Sequence, residues 1–193
     1  MEWALSFPLL RTERLVLRRL CIADAPALFA YCSDPCLAAY VSWEIHRTIR
    51  DSEHYISIME KAYDAGRPAN WGVVEQATSE LVGHAGFSGW EPNHRSAEIA
   101  YVIARRYWSM GYATEVVNEI LRFGFETLGL HRIYARCFPW NVASERVLVK
   151  NGMVYEGTLR DAVFCKGEFQ SLKVFSVLRQ EFLARRRTST LDG

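Results

Sequence analysis

The clearest pattern in the chain is an apolar stripe from Ala113 to Leu128, whose members recur at intervals of three and four residues. Polar and charged residues fill the opposite positions, so this segment predicts an amphipathic helix, and Gly129 predicts its end. Two earlier helices are predicted, one following the N-cap residue Asp24 and one over 48–65, where the spacing of Thr and Asp forms a variant of the capping box. A fourth, short helix is predicted over 143–150.

Between these helices the apolar positions alternate or form short runs bounded by polar turns, which is typical of strands. Seven strands are predicted, at Arg14–Leu20, Asn70–Glu75, Leu81–Trp90, Ala97–Ala104, His131–Cys137, Tyr155–Phe164 and Phe169–Leu178. Three strands in succession favour an antiparallel meander, and a strand–helix–strand order favours one parallel crossover. The predicted fold class is therefore mixed α/β, with a central, mostly antiparallel sheet and helices on both of its faces.

Composition limits the number of domains and the class of partner. The chain has 193 residues, half of them hydrophobic, and a net charge of +1. This length and composition predict one folded domain, over 10–183, and exclude the disordered class for it. The balanced charge gives no global field for nucleic acid or for an anionic membrane, so neither is an expected partner. The last ten residues, 184–193, predict a basic, frayed tail, for which a nucleic-acid contact through Arg185, Arg186 and Arg187 stays open.

The cysteines indicate neither a disulfide framework nor a metal site. Their number is five and no C-x-x-C pair occurs, so reduced thiols are expected and no metal is predicted. The start of the chain lacks the basic residues and long apolar run of a signal peptide, and no stretch has the length of a membrane span. We therefore expect a cytoplasmic location.

Candidate chemistry begins at the junction between the strand that ends near Ala104 and the amphipathic helix. The first N–H groups of a helix lack partners within it, and its macrodipole adds a partial positive charge, so a phosphate group suits this position. Gly111 allows close approach of a ligand, and Arg105 and Arg106 add positive charge. The residues match neither a Walker phosphate loop nor a dinucleotide-binding fingerprint.

A second group of residues surrounds the start of the short helix over 143–150. Asn141 is placed to cap this helix, and Ser144 lies in its first turn with a hydroxyl able to face the space between strands. Local capping alone would explain both residues.

Two motifs, in this order and on the predicted elements, carry a resemblance to a known family. They are Tyr107-Trp108-x-x-Gly111-Tyr112-Ala113-Thr114-Glu115 and Asn141-x-x-Ser144-x-Arg146-Val147-Leu148-x-Lys150-x-Gly152, after a Thr12-Glu13-Arg14-Leu15 start. The chain resembles the GNAT superfamily of acyl-coenzyme-A-dependent N-acetyltransferases, and within it the ribosomal-protein N-terminal acetyltransferases of the RimJ/RimL type. The resemblance covers about Leu10 to Phe182.

The resemblance implies acetyl-CoA as co-substrate and a pair of splayed strands that receives its pantetheine arm. Implied contacts to the arm come from Tyr101, Val102, Ile103 and Asn141, and the pyrophosphate would lie on the turn from Ser109 to Thr114. The full set implied for the cofactor is Tyr101, Val102, Ile103, Arg106, Ser109, Met110, Gly111, Tyr112, Ala113, Thr114, Asn141, Arg146 and Lys150. Ser109 and Met110 depart from the family, which often has Gly and a basic or amide residue there.

Amide formation requires a neutral amine and a donor for the leaving thiolate. The resemblance implies Ser144 as that donor, and Glu98 is the candidate base, although an ordinary exposed strand carboxylate would look the same. Cys137 is expected to line the thioester pocket without a covalent role. The expected acceptor is the N-terminal amine of a protein or peptide. Alternatives are a small-molecule amine (amino acid, polyamine or antibiotic) or a catalytically silent acyl-CoA-binding module, and the chain is expected to be a monomer or a homodimer.

Overall fold

A computed structural model of the chain describes residues 7–191, with side chains described up to residue 186. Within this range the strands are β1 (Leu10–Arg11), β2 (Leu15–Arg18), β3 (Asn70–Glu75), β4 (Leu81–Glu91), β5 (Ser96–Ile103), β6 (Arg132–Cys137), β7 (Val154–Cys165) and β8 (Glu168–Leu178). The helices are α1 (Ala25–Cys32), α2 (Pro35–Ala38), α3 (Ile49–Asp64), α4 (Tyr112–Arg122), α5 (Val142–Lys150) and α6 (Arg179–Leu191).

These strands form one sheet in the order β1-β2-β3-β4-β5-β6-β8-β7. Every neighbouring pair is antiparallel except β5 and β6, which are parallel because α4 connects them as a crossover. Helix α1 packs on α3 and β4, while α4 packs on β4, β5 and α5. The predicted mixed, mostly antiparallel sheet with helices on both faces is confirmed.

Several local predictions are confirmed in detail. Thr48 and Asp51 form the predicted capping box of α3, and Asn141 caps α5 by accepting a hydrogen bond from the N–H of Ser144 at 3.0 Å. The predicted long helix begins at Tyr112 and continues beyond Arg122 as a π-helical turn, Phe123–Thr127. Its predicted stop is also present, because Gly129 has a φ of +65°.

The carboxyl end of the chain differs from the frayed tail that its composition predicts. Residues from Arg179 to Leu191 form helix α6, so the segment from 184 to 191 is helical, while 192–193 lie outside the described residues. Phe182 anchors this helix, since its side chain is buried and its ring centroid lies 5.1 Å from that of Phe125. A single buried aromatic in an otherwise polar segment gave too little periodicity to predict this helix.

Candidate functional site

Strands β5 and β6 separate after a short paired section. Their parallel pairing covers Ser96–Glu98 of β5 and Arg132–Tyr134 of β6 and then stops. Beyond this point the rest of β5 pairs only with β4, and the rest of β6 only with β8. The facing edges of β5 and β6 therefore have main-chain polar groups that do not pair with each other.

A cavity of about 500 Å³ lies along the β5 side of this gap and against α5. Its lining contains every residue predicted to hold the cofactor, except Arg106 and Met110, and it also contains Ser144. The carbonyl oxygen of Ile103 accepts a hydrogen bond from the indole Nε1 of Trp108 at 2.7 Å, so this main-chain group already has a partner. The structure therefore gathers residues from two distant motifs around one cavity.

The turn that precedes α4 leaves the N-terminus of the helix accessible. Ser109 and Gly111 both have positive φ, +64° and +82°, so the chain bends sharply just before the first N–H groups of the helix. These groups have no carbonyl partner within the helix and point toward the helix N-terminus. Gly111 is exposed and has no side chain, which leaves this end of the helix accessible to a phosphate group.

The two arginines expected to add positive charge to this turn are engaged elsewhere. Arg105 Nε lies 2.9 Å from the carboxylate of Asp34, and Arg106 Nη2 lies 3.1 Å from that of Glu80. The side chain of Met110 is 45% exposed and does not line the cavity. Neither Arg106 nor Met110 is therefore placed by the structure at the cavity.

The arginine that does reach the turn is Arg14, which follows β1 near the start of the chain. Its Nη1 donates to the carbonyl oxygen of Met110 at 2.9 Å, and its Nη2 lies 2.7 Å from the carboxylate of Glu115. Sequence reasoning missed this contact. The Thr12-Glu13-Arg14-Leu15 start indicated the family, but nothing in the spacing indicates that it meets α4.

Ser144 lies on the opposite side of the gap from β5. Its Oγ is 2.8 Å from the hydroxyl of Tyr101, which also donates to the carbonyl oxygen of Ser144 at 3.3 Å. Burial raises the pKa of Tyr101, and the hydrogen bond with Ser144 only partly offsets this effect, so the phenol stays protonated at neutral pH. Sequence reasoning assigned Tyr101 a main-chain role only, and its hydroxyl was missed.

Cys137 lies beside this pair of hydroxyls. Burial raises the pKa of its thiol. A hydrogen bond from Ser144 lowers this pKa by a smaller amount. The side chain is buried and does not line the cavity, so the predicted place of Cys137 in the lining of the thioester pocket is not confirmed. A buried thiol with a raised pKa is a poor nucleophile, which agrees with an expected role without covalent chemistry.

Glu98 occupies the last paired position before the gap opens. Its two carboxylate oxygens accept from Nε and Nη2 of Arg136 at 2.7 and 2.9 Å, and its side chain is 13% exposed. This bidentate ion pair lies on the face of the sheet that carries α1 and α3, where Tyr134 also projects. Glu98 is therefore adjacent to the gap but is not among the residues that line the cavity.

The segment around α2 forms one wall of the cavity through Leu37, Tyr40 and Val41. Lys166, at the tip of the β7–β8 hairpin, donates to the carbonyl oxygens of Ala38 and Val41, the latter at 2.7 Å. This hairpin therefore fixes a wall that sequence reasoning did not predict.

The ring side chains of β3, β4 and the segment before α3 divide into two groups. Trp71 and Phe87 are buried in the core, whereas Trp43 and His46 are half-buried with ring centroids 5.7 Å apart. Trp43 and His46, and the half-buried Trp90 of β4, are accessible to a ligand.

Neither a metal-ligand cluster nor a membrane-spanning helix is present within residues 7–191. No group of three or more His, Cys, Asp or Glu side chains could hold a metal ion, and no helix there is long and apolar enough to cross a membrane.

Comparisons with known proteins agree with this geometry. Residues 14–154 match the model of the acetyltransferase (GNAT) domain. The chain is 36% identical over 173 residues to the uncharacterized N-acetyltransferase YoaA of Bacillus subtilis, covering 90% of this chain and 98% of that relative.

Two further proteins are similar to it. The spermidine N(1)-acetyltransferase of Vibrio cholerae is 32% identical over 113 residues, 58% of this chain and 65% of that relative. The ribosomal-protein-serine acetyltransferase of Escherichia coli is 25% identical over 97 residues, 50% of this chain and 54% of that relative. The chain therefore belongs to the GNAT family of acetyltransferases.

Proposed function

We propose that this acetyltransferase transfers the acetyl group of acetyl-CoA to the N-terminal amine of a protein or peptide. The observation that carries the proposal is the continuity of one cavity from the 109–112 turn before α4 to the edge of β5 that no longer pairs with β6. The helix N-terminus at one end of the cavity suits the pyrophosphate of coenzyme A. The unpaired strand edge at the other end suits its pantetheine arm.

The residues present fit the cofactor. The N–H groups of the turn from Ser109 to Tyr112 suit the pyrophosphate, and the free edge of β5 at Tyr101 and Val102 suits the amide groups of the pantetheine arm. Arg146 and Lys150 supply positive charge along the same cavity. Acetyl-CoA, when bound, supplies an activated thioester.

The chain's own groups then support direct transfer. The acceptor amine loses a proton and its nitrogen forms a bond to the thioester carbonyl carbon, while the carbon–sulfur bond breaks and the sulfur leaves as a thiolate. We assign Ser144 as the proton donor to this sulfur, with Tyr101 holding its hydroxyl in place. Glu98 is assigned as the base that takes the amine proton, directly or through water, after its pair with Arg136 loosens.

An N-terminal amine is favoured over a polycation by the charges near the gap. Glu98 pairs with Arg136, and Glu156 pairs with Arg132 at 2.5 Å, so the charges of these two carboxylates are compensated. A polyamine requires an excess of negative charge. The likeness to the ribosomal-protein-serine acetyltransferase of Escherichia coli agrees with a protein acceptor. The likeness to a spermidine acetyltransferase makes a polyamine the second candidate.

A thiol-release assay with acetyl-CoA tests the proposal. The acceptors are short peptides with free N-termini, the same peptides with blocked N-termini, amino acids, spermidine and aminoglycosides. We expect turnover with the free peptides alone, and mass spectrometry should locate the acetyl group on the terminal nitrogen. Turnover with spermidine but not with peptides would support the second candidate. Binding of acetyl-CoA without thiol release for any amine would instead indicate a silent binding module.

A further inference from the structure

The residues just after β1 hold the first turn of α4, although about 100 positions of sequence separate them. One carboxylate oxygen of Glu115 accepts from Thr12 Oγ1 at 2.5 Å and from the main-chain N–H of Arg14 at 2.9 Å. The other accepts from Nε of Arg14 at 2.8 Å and lies 2.7 Å from its Nη2. Both oxygens of Glu115 are thus fixed by the same short segment.

The guanidinium of Arg14 also contacts the turn before the helix. Its Nη1 donates to the carbonyl oxygen of Met110 at 2.9 Å, and its central carbon lies 4.7 Å from the ring centroid of Tyr112. A Cβ atom built on Gly111 would lie 3.4 Å from Nη2. A single planar group therefore contacts Met110 and Tyr112, on either side of Gly111, and joins the turn to Glu115 on the helix.

The surrounding side chains hold the same turn from the strand side. The hydroxyl of Tyr112 donates to the carboxylate of Glu75, at the end of β3, and that of Tyr107 donates to the carboxylate of Glu80. The two tyrosine rings are stacked with centroids 6.0 Å apart. The turn is thus positioned by contacts to the start and end of other strands rather than by its own sequence alone.

The positive charge of Arg14 also compensates the negative charge of Glu115 at the N-terminus of α4. Glu115 lies in the first turn of α4, where a carboxylate interacts favourably with the helix N-terminus. Burial opposes ionisation of Glu115, but hydrogen bonds from Thr12 and Arg14 outweigh it, and the pKa of the carboxyl lies below its usual value. A phosphate bound at the same helix end would be repelled by this carboxylate, and the adjacent guanidinium compensates the repulsion.

We propose that Arg14, paired with Glu115, is a positioning residue that keeps the N–H groups of the 109–112 turn in the conformation that receives the pyrophosphate of acetyl-CoA, an inference that rests on the proposed function. Its geometric effect exceeds its charge effect. The side chain of Arg14 is 43% exposed, so solvent screens its charge, whereas its three hydrogen-bond directions are set by the planar guanidinium.

Calorimetric titration with acetyl-CoA tests this role in the full chain. We expect Arg14→Gln and Arg14→Lys each to raise the Kd about tenfold, since hydrogen bonds to a charged group are lost and a lysine cannot bridge Met110 and Glu115. Arg122→Gln is the matched control, because Arg122 makes a comparable pair with Glu119, at 2.6 Å, farther along the same helix. Its Kd should stay within about twofold of the wild-type value.

A truncated donor separates positioning of the turn from general damage. S-acetylpantetheine carries the thioester and the pantetheine arm but no pyrophosphate, so its turnover should be the same in the wild type and in both Arg14 variants. Equal losses with both donors would overturn the proposal. The proposal would also be overturned if Arg14→Lys bound acetyl-CoA with the wild-type Kd while Arg14→Gln bound it more weakly. A positive charge at this position would then be sufficient for binding.

The outcomes also distinguish this proposal from the proposed function. If the wild-type chain binds acetyl-CoA and both Arg14 variants bind it equally well, only the role of Arg14 is wrong. If the wild-type chain itself does not bind acetyl-CoA, the proposed function and the role of Arg14 fail together.

Discussion

The phenol oxygen of Tyr101 lies 2.8 Å from Oγ of Ser144, across the gap that opens where β5 leaves β6. Tyr101 belongs to β5 and Ser144 to the first turn of α5, so this hydrogen bond joins the two sides of the cavity. Asn141 fixes the same turn by accepting from the main-chain N–H of Ser144. The position of the Ser144 hydroxyl is therefore determined by Tyr101 of β5 and by Asn141 at the N-terminus of α5.

Ser144→Ala should lower kcat about tenfold to a hundredfold and change KM for acetyl-CoA little, since the lost group acts on the leaving sulfur. Tyr101→Phe keeps the ring and removes only the hydroxyl that orients Ser144, so its kcat should fall less. Steady-state thiol release with a peptide acceptor measures both. An unchanged kcat in Ser144→Ala would leave Ser144 with a local structural role at the start of α5.

Glu98→Gln should lower kcat at least a hundredfold if Glu98 takes the amine proton, because general-base catalysis contributes about this much. The amide is isosteric and keeps one hydrogen-bond acceptor for Arg136, so the loss is chemical rather than steric. Glu156→Gln is the matched control, since Glu156 makes a similar bidentate pair with Arg132 on the neighbouring part of the sheet. If both variants turn over like the wild type, the role of Glu98 is its ion pair alone.

Gly111→Asp should weaken acetyl-CoA binding by more than Gly111→Ala. Both substitutions place a side chain on a residue with a φ of +82°, which costs about 1–2 kcal/mol of strain. Only aspartate adds a negative charge where the pyrophosphate is expected. The ratio of the two dissociation constants, measured by calorimetry, isolates the charge, and equal values would contradict a phosphate at this turn.

The sequence predicted the elements that form this site better than it predicted their mutual contacts. Gly111 and Asn141 could be interpreted because each acts locally, on the helix that it begins. The gap between β5 and β6 was expected only from the family resemblance, because no local sequence pattern indicates where the pairing between two strands ends. The ion pairs of Arg14, Arg105 and Arg106 depend on tertiary placement, so the sequence could not indicate that Arg14 contacts the turn or that Arg105 and Arg106 pair with Asp34 and Glu80.

Ser109→Gly should stabilise the protein by about 0.5–1 kcal/mol, because Ser109 has a φ of +64°, where a residue with a Cβ is strained and glycine is not. Ser79→Gly is the matched control, as Ser79 has a φ of +60° in the β3–β4 turn, away from the cavity. Both variants should show a higher midpoint of chemical unfolding. Destabilisation by Ser109→Gly would mean that contacts of its side chain outweigh the relief of strain.

His84 is buried on β4, beside the strand that borders the gap. It pairs with Val102 across the sheet, and its Nδ1 lies 3.0 Å from the hydroxyl of Tyr31. The ring centroid of Tyr55 is 5.3 Å away. Burial, with a smaller effect of the nearby His46, lowers the pKa of His84 from 6.5 to about 4. The folded protein therefore holds this imidazole neutral.

This shift makes stability depend on pH in a defined direction. Between pH 6.5 and pH 4 the unfolded chain binds a proton at His84 that the folded chain does not, so the free energy of unfolding falls as the pH decreases through this window. The loss attributable to His84 between pH 7 and pH 5 is about 2 kcal/mol. His84→Gln removes the titrating group and should lose less stability over this interval than the wild type in urea denaturation, whatever its stability at pH 7. The exposed His94, replaced in the same way, should leave the wild-type dependence unchanged. Equal losses in His84→Gln and in the wild type would show that the proton is taken up elsewhere, with His46, whose pKa burial also lowers, as the next group to replace.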